Sequence, residues 1–246
     1  QNITQNITYT LNKEKVEIQF IDQTTGDVLT TEYATGDYGT RSNYSPMKTM
    51  LQYINEGYKL VSSSFPIGGI TFTQDGVVPV YKIVLAHNTR TDTVTSNPDN
   101  IPTDQLSDSV TETITYTYAD SGKQAESPNT QTITFTRSAT VDMVTHKVLS
   151  YSDWTASQNG FNAVTSPKIT GYTANPQVVS AVTNVTADSK NITVGVTYTP
   201  NQETATIQYV DQTTNKVLNT VTVNGVYNGT TAYDTTSVIQ GYEKQG

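Results

Sequence analysis

The chain has 246 residues, a formal charge of −8, 15% charged residues and no cysteine. Without cysteine there are no disulfides, thiolate metal sites or cysteine nucleophiles, and the acidic balance argues against nucleic acid and anionic membrane, which call for basic patches. Threonine fills about one position in five; its β-branch favours strands, and no run approaches the roughly 20 apolar residues of a membrane span.

In chain order, residues 1–9 read as the closing strand of a preceding module. Residues 10–87 then form one module. Val16, Ile18 and Phe20 alternate with Glu17 and Gln19, the pattern of a half-buried strand. The run DQTTGD turns the chain, and Val28–Tyr33 returns it as a β-hairpin. In SPMKTMLQYINEGY, Ser45 and Pro46 suit a helix start. Met47, Met50, Leu51 and Ile54 fall on one helical face, expected to meet a core, and Gly57 suits the stop. Strands over Lys59–Ser63 and Val78–Leu85 complete an order β-β-α-β-β, which a β-grasp, ubiquitin-like sheet with one helix across it satisfies.

Residues 88–109 are polar, carry two prolines and show little periodicity, and read as a linker. Residues 110–200 form a second module, all strand signals: Ile114, Tyr116 and Tyr118 alternate with threonine, as do Ile133 and Phe135, then Ile192, Val194, Val196 and Tyr198. Residues 201–246 read as the truncated start of another module. The fold class is therefore mainly β with one α-helix, as elongated tandem modules.

An internal repeat underlies this division. Residues 2–29 and 191–218 are identical at 16 of 28 positions, with FIDQTTGDVL answered by YVDQTTNKVL. A fainter copy, TVDMVTHKVL, stands at 140–149. Gly26, His146 and Asn215 share one turn slot, and all three tolerate a left-handed backbone. Each copy runs on to a Gly-Tyr pair, at 57–58, 171–172 and 241–242. What repeats is a hairpin scaffold.

Candidate chemistry is sparse. A hydrolase needs a nucleophile, a base and an orienter in reach of one another, and there are two histidines. His146 occupies the hairpin turn, and His87 ends a strand, where an exposed position is expected. Two distant histidines make a poor zinc site. Asp22, Asp142 and Asp211 recur, which is expected of turn-initiating aspartates bonding local backbone. Asp92, Asp99, Asp104 and Asp108 offer oxygen ligands for calcium, but not at EF-hand spacing; no cofactor and no metal is predicted. Trp154 is expected in a core.

Beyond these local features, VEIQFIDQTTGDVL…INEGYKLV…VYKIVLAHNT resembles the MucBP-type module of lactobacillal mucus-binding proteins. SDSVTETITYTY…TQTITFTRSATVDMVTHKVLSYSDWT…ITVGVTYTP is similar to the second module of the same large repeat. The resemblance implies a non-enzymatic, extracellular adhesin, anchored to a bacterial cell wall through parts of a longer chain. Its implied partners are mucin glycoproteins and their glycans; some relatives also bind immunoglobulins. It implies no membrane insertion and a monomer within a tandem array. Beside the resemblance, Tyr38, Arg41, Asn43 and Tyr44 precede the helix and combine amphipathic rings with polar donors and acceptors. They are the candidate ligand-binding residues.

Overall fold

The computed structural model describes residues 1–73, 75–234 and 238–245; residues 235–237 and 246 of the expected third module lie outside that description. The elements in chain order begin with β1 (Lys13–Asp22), β2 (Val28–Asp37), α1 (Met47–Asn55), β3 (Tyr58–Ser63), β4 (Val80–His87), β5 (Thr89–Asp92) and α2 (Thr103–Leu106). Next come β6 (Ser107–Tyr118), β7 (Gln124–Thr136), β8 (Ala139–Asp142), β9 (Val148–Tyr151), β10 (Thr155–Ala156), β11 (Gly160–Phe161) and β12 (Val164–Thr165). The chain continues with β13 (Tyr172–Asn175), β14 (Val178–Val179), β15 (Val182–Thr183), β16 (Ile192–Pro200), β17 (Gln202–Val210) and β18 (Val217–Val226). No helix among the described residues is long and apolar enough to cross a membrane. The chain forms two compact units, Gln1–Leu106 with Arg137–Asp153, and Ser107–Thr136 with Trp154–Gly246.

In the first unit, a four-stranded sheet has the order β2-β1-β4-β3. β1 runs antiparallel to β2 and parallel to β4, and β3 runs antiparallel to β4. This is the expected β-grasp. The alternation of β1 sends Val16, Ile18 and Phe20 into a core with Ile83, Leu85, Ile70 and Phe72. Gly36 in β2 is needed there, because a Cβ would lie 2.3 Å from the Phe72 ring.

The helix meets this core differently from expectation. Met50 and Tyr53 pack inward, and the Tyr53 hydroxyl lies 2.6 Å from Thr30 Oγ1. Met47, Leu51 and Ile54 are exposed. A nine-residue helix crossing one sheet face has room for a single contact row, and the aromatic Tyr53, tilted against Phe20 and edge-on to Tyr58, takes it with Met50.

Residues 89–106, expected within a linker, are folded. β5 pairs with β8 and β8 with β9, and Leu106 at the end of α2 joins Ile101, Ala139 and Val141 in a small core. The polar residues are satisfied locally. Buried Asp92 accepts from Arg90 Nε at 2.9 Å and from the Asp99 N–H at 3.1 Å, and Arg90 also binds Asp99. Such a segment has order without hydrophobic periodicity, so the pattern alone misses it.

In the second unit the sheet order is β10-β7-β6-β16-β13, with β6 and β16 parallel. Val110, Ile133, Phe135 and Phe161 form one apolar cluster, against which Trp154 packs as expected. Ile114, Tyr116, Val179, Val196 and Tyr198 form the other. The β17–β18 hairpin comes last.

The three repeated hairpins, β1–β2, β8–β9 and β17–β18, share their irregularities. Each has a register shift at the matching step: Phe20/Ile21, Thr140/Val141 and Tyr209/Val210. Gly26, His146 and Asn215 take positive φ of 86°, 57° and 53°. The aspartates accept from backbone N–H groups two residues on, at 2.7 Å for Asp22, 2.8 Å for Asp142 and 2.9 Å for Asp211.

Candidate functional site

After β2, Gly39 (φ 80°) turns the chain and residues 40–45 run back toward α1. Arg41 bridges to Thr71, and its guanidinium donates to the Gly68 carbonyl, which holds the 66–72 loop beside it. Asn43 is exposed, and Tyr38 is 43% exposed. Tyr44 is tied down: its hydroxyl donates to Glu32, whose other oxygen accepts from Thr49 Oγ1 at 2.7 Å. Its ring lies 5.8 Å from that of Phe65. Burial first, and then the Glu32 carboxylate, push the Tyr44 phenol well above its usual range. Of the four candidates, Tyr38, Arg41 and Asn43 are thus offered to solvent, while Tyr44 fixes the loop.

A second exposed feature is the outer row of α1, Met47, Leu51 and Ile54, each 40% or more exposed. The sequence signals it as an apolar stripe, but its spacing alone does not say which way it faces.

A third constellation lies where the β-grasp meets the β8–β9 hairpin within the first unit. His87 was expected at an exposed strand end; its side chain is 9% exposed instead. Nε2 lies 2.9 Å from Asp22 Oδ2 and Nδ1 lies 2.6 Å from Asp142 Oδ2. A carboxylate only accepts, so both ring nitrogens donate and the ring is the imidazolium. Burial works to lower the His87 pKa, but the Asp142 hydrogen bond and the charges of Asp22 and Asp142 outweigh it and raise the group. Burial likewise works to raise Asp142, but His87 and the N–H groups of Thr145 and Val144 hold it down at about 2. Asp22 is lowered too, its burial outweighed by the Thr24 N–H and by His87. The same carboxylates that start two copies of the repeated turn therefore grip one histidine between them. The turn slot made the aspartates legible; nothing local to His87 marked it.

Beside this clamp, the Asn88 N–H donates to the Gly57 carbonyl at 2.9 Å, and the Asn88 carbonyl accepts from the Met143 N–H at 2.9 Å. Gly57 (φ 100°) admits no side chain, since a Cβ would sit 2.4 Å from the Met143 carbonyl oxygen. The second unit repeats the device. The Asn201 N–H donates to the Gly171 carbonyl at 2.8 Å, and its carbonyl accepts from the Tyr227 N–H at 2.9 Å. There a Gly171 Cβ would lie 2.2 Å from the Tyr227 ring, which packs edge-on against Tyr172 at 5.7 Å. The Gly-Tyr pairs at 57–58 and 171–172 are joints, and an asparagine bridges each of these two.

Residues 101–202 match the family of Muc B2-like domains, and residues 14–87 and 203–246 match the family described as Mucin binding domain. Among solved structures, the chain is similar to Mub-RV at 31% identity and a TM-score of 0.60, covering 76% of this chain and 99% of that one. It is also similar to the type 2 repeat of the mucus binding protein MUB from Lactobacillus reuteri, at 26% identity and a TM-score of 0.48, over 76% of this chain and all of that one. The MucBP domain of an adhesion protein from Pediococcus pentosaceus is 38% identical, with a TM-score of 0.34, over 38% of this chain and 98% of that one. No curated protein matches the chain.

Proposed function

Because the chain belongs to the MucBP-type repeats of mucus-binding proteins, we propose that it is a non-enzymatic adhesin repeat that binds mucin glycoproteins through weak contacts made strong by repetition. The observation that carries this is the match of both 14–87 and 203–246 to the Mucin binding domain family. In this reading the chain works outside a Gram-positive cell, held to the wall by other parts of a longer protein. Single glycan contacts near millimolar are worth about −4 kcal/mol. Tethered copies raise avidity by roughly 10²–10⁴ without any new contact. Arg41 and Asn43, both exposed, supply the guanidinium and amide of a sugar-contacting surface.

A second reading, recognition of a protein such as an immunoglobulin, is favoured by the exposed Met47–Leu51–Ile54 row, which offers an apolar helix face and little for a sugar. Binding of the chain, clustered on beads, to immobilised mucin before and after deglycosylation separates the two. Loss of binding with the glycans, and weakening by Asn43→Ala, is the expected outcome. Binding that survives deglycosylation and falls with Leu51→Gln supports the protein reading. No binding in either arm leaves the chain as a spacer.

A further inference from the structure

The bridging asparagines place a third joint at the opposite end of the β-grasp. At a fixed offset of 189, Asn12 corresponds to Asn201 and Tyr38 to Tyr227. Half of the joint is already built: the Tyr38 N–H donates to the Asn12 carbonyl at 3.0 Å, as the Tyr227 N–H donates to Asn201 at 2.9 Å. The turn after the tyrosine also matches, with Gly39 and Asn228 both at positive φ, 80° and 55°. The other half is unmet, since the Asn12 N–H has no acceptor among the described residues. Tyr38 is 43% exposed, and among the described residues no aromatic ring packs on it as Tyr172 packs on Tyr227.

The residues leading into Asn12 carry the same message. Ile7, Tyr9 and Leu11, alternating with Thr8 and Thr10, are 71%, 89% and 62% exposed, and Ile3 is 92% exposed. At the 189 offset Ile7 and Tyr9 correspond to Val196 and Tyr198, both fully buried in β16 between β6 and β13. A half-buried strand pattern with no sheet around it leaves in water apolar surface that a neighbouring strand would cover.

We propose that residues 3–11 form the last strand of another second-type module, and that Asn12 and Tyr38 are the socket for that module's Gly-Tyr turn. The occupant is thus a copy of residues 107–190, ending just before its own β16. In the assembled joint, the Asn12 N–H donates to the glycine carbonyl and the tyrosine ring packs edge-on to Tyr38. The bare glycine is required there, because the Tyr38 ring would fill the space of its Cβ, as Tyr227 does at Gly171.

The test is a tandem chain in which residues 1–190 are followed directly by residues 2–246, so that the second copy's residues 3–11 replace β16 of the first. Amide hydrogen exchange is followed by mass spectrometry on the peptide across the junction, whose sequence is unique. The first copy's own residues 1–12 serve as an unprotected control in the same molecule. The expected result is exchange at the junction peptide about a hundredfold or more slower than at residues 1–12. Tyr38→Ala in the second copy should restore fast exchange around its Asn12. A junction that exchanges as fast as residues 1–12, including through failure of the hybrid module to fold, overturns the strand assignment. A protected junction that Tyr38→Ala leaves unchanged overturns the socket.

Discussion

At the scale of single residues, the first joint is held by an ionic clamp. The Asp22–His87–Asp142 clamp is nearly dry, and a buried ionic group stripped of its partner is expensive. His87→Ala should therefore lower unfolding stability of the first unit by about 3 kcal/mol, read from the urea midpoint at pH 6. The pH dependence has two edges. His87 has a folded pKa above its usual 6.5, so its contribution is full below pH about 6.5 and fades as pH rises through the folded value. Asp22 and Asp142 have folded values below 3.8, so theirs is full above about pH 4 and fades as pH falls, for Asp142 toward about 2. A plateau between these edges in the parent, flattened at its alkaline side in His87→Ala, is the expected profile of the urea midpoint. Asp22 and Asp142 were legible from the repeat, whereas His87 was not, because its partners lie 65 and 55 residues away and no spacing rule connects them.

At the scale of elements, the hairpins are legible because their signals are local: two-residue alternation, a turn aspartate, and a residue able to take positive φ. The helix is legible as a helix but its facing is not. Four apolar side chains at helical spacing allow more than one inward row, and only the sheet beneath decides that Met50 and Tyr53 take it. Met50→Ala should cost about 2 kcal/mol, discounted from a fully buried methionine because Met50 is half-buried. Leu51→Gln should stay within about 0.5 kcal/mol of the parent. Thermal unfolding of the two variants side by side checks the assignment; equal losses would mean that the outer row is packed after all. The 89–106 segment failed for the opposite reason. Its order comes from Asp92, Arg90 and Asp99 bonding one another, and polar side chains leave no periodic trace.

At the scale of the whole chain, the two modules differ in sequence, size and helix content, yet each ends with the same rung. The Gly57 and Gly171 carbonyls accept from Asn88 and Asn201, and the carbonyls of those asparagines accept from the Met143 and Tyr227 N–H groups. The joints then diverge in chemistry: the first adds a charged clamp, while the second carries Pro200 in place of His87 and relies on the Tyr172–Tyr227 contact. Raising salt and pH should loosen the first joint and leave the second unchanged, as followed by amide exchange at Met143 and Tyr227. Repetition was visible in the sequence; its division of labour was not, since ionic and aromatic joints occupy the same slot.

The sheet orders carry one more consequence. In both modules the first and last long strands are neighbours and run parallel, β1 beside β4 and β6 beside β16. Tension that enters through the first strand and leaves through the last pulls the pair past each other lengthwise, loading every rung from Glu17–Val80 to Asp22–Leu85 at once. The β17–β18 hairpin has antiparallel neighbours, so the same pull peels it one rung at a time. Stretching the chain between its ends should thus open that hairpin at low force and the two modules only at high force. The topology itself resists being drawn out along the chain.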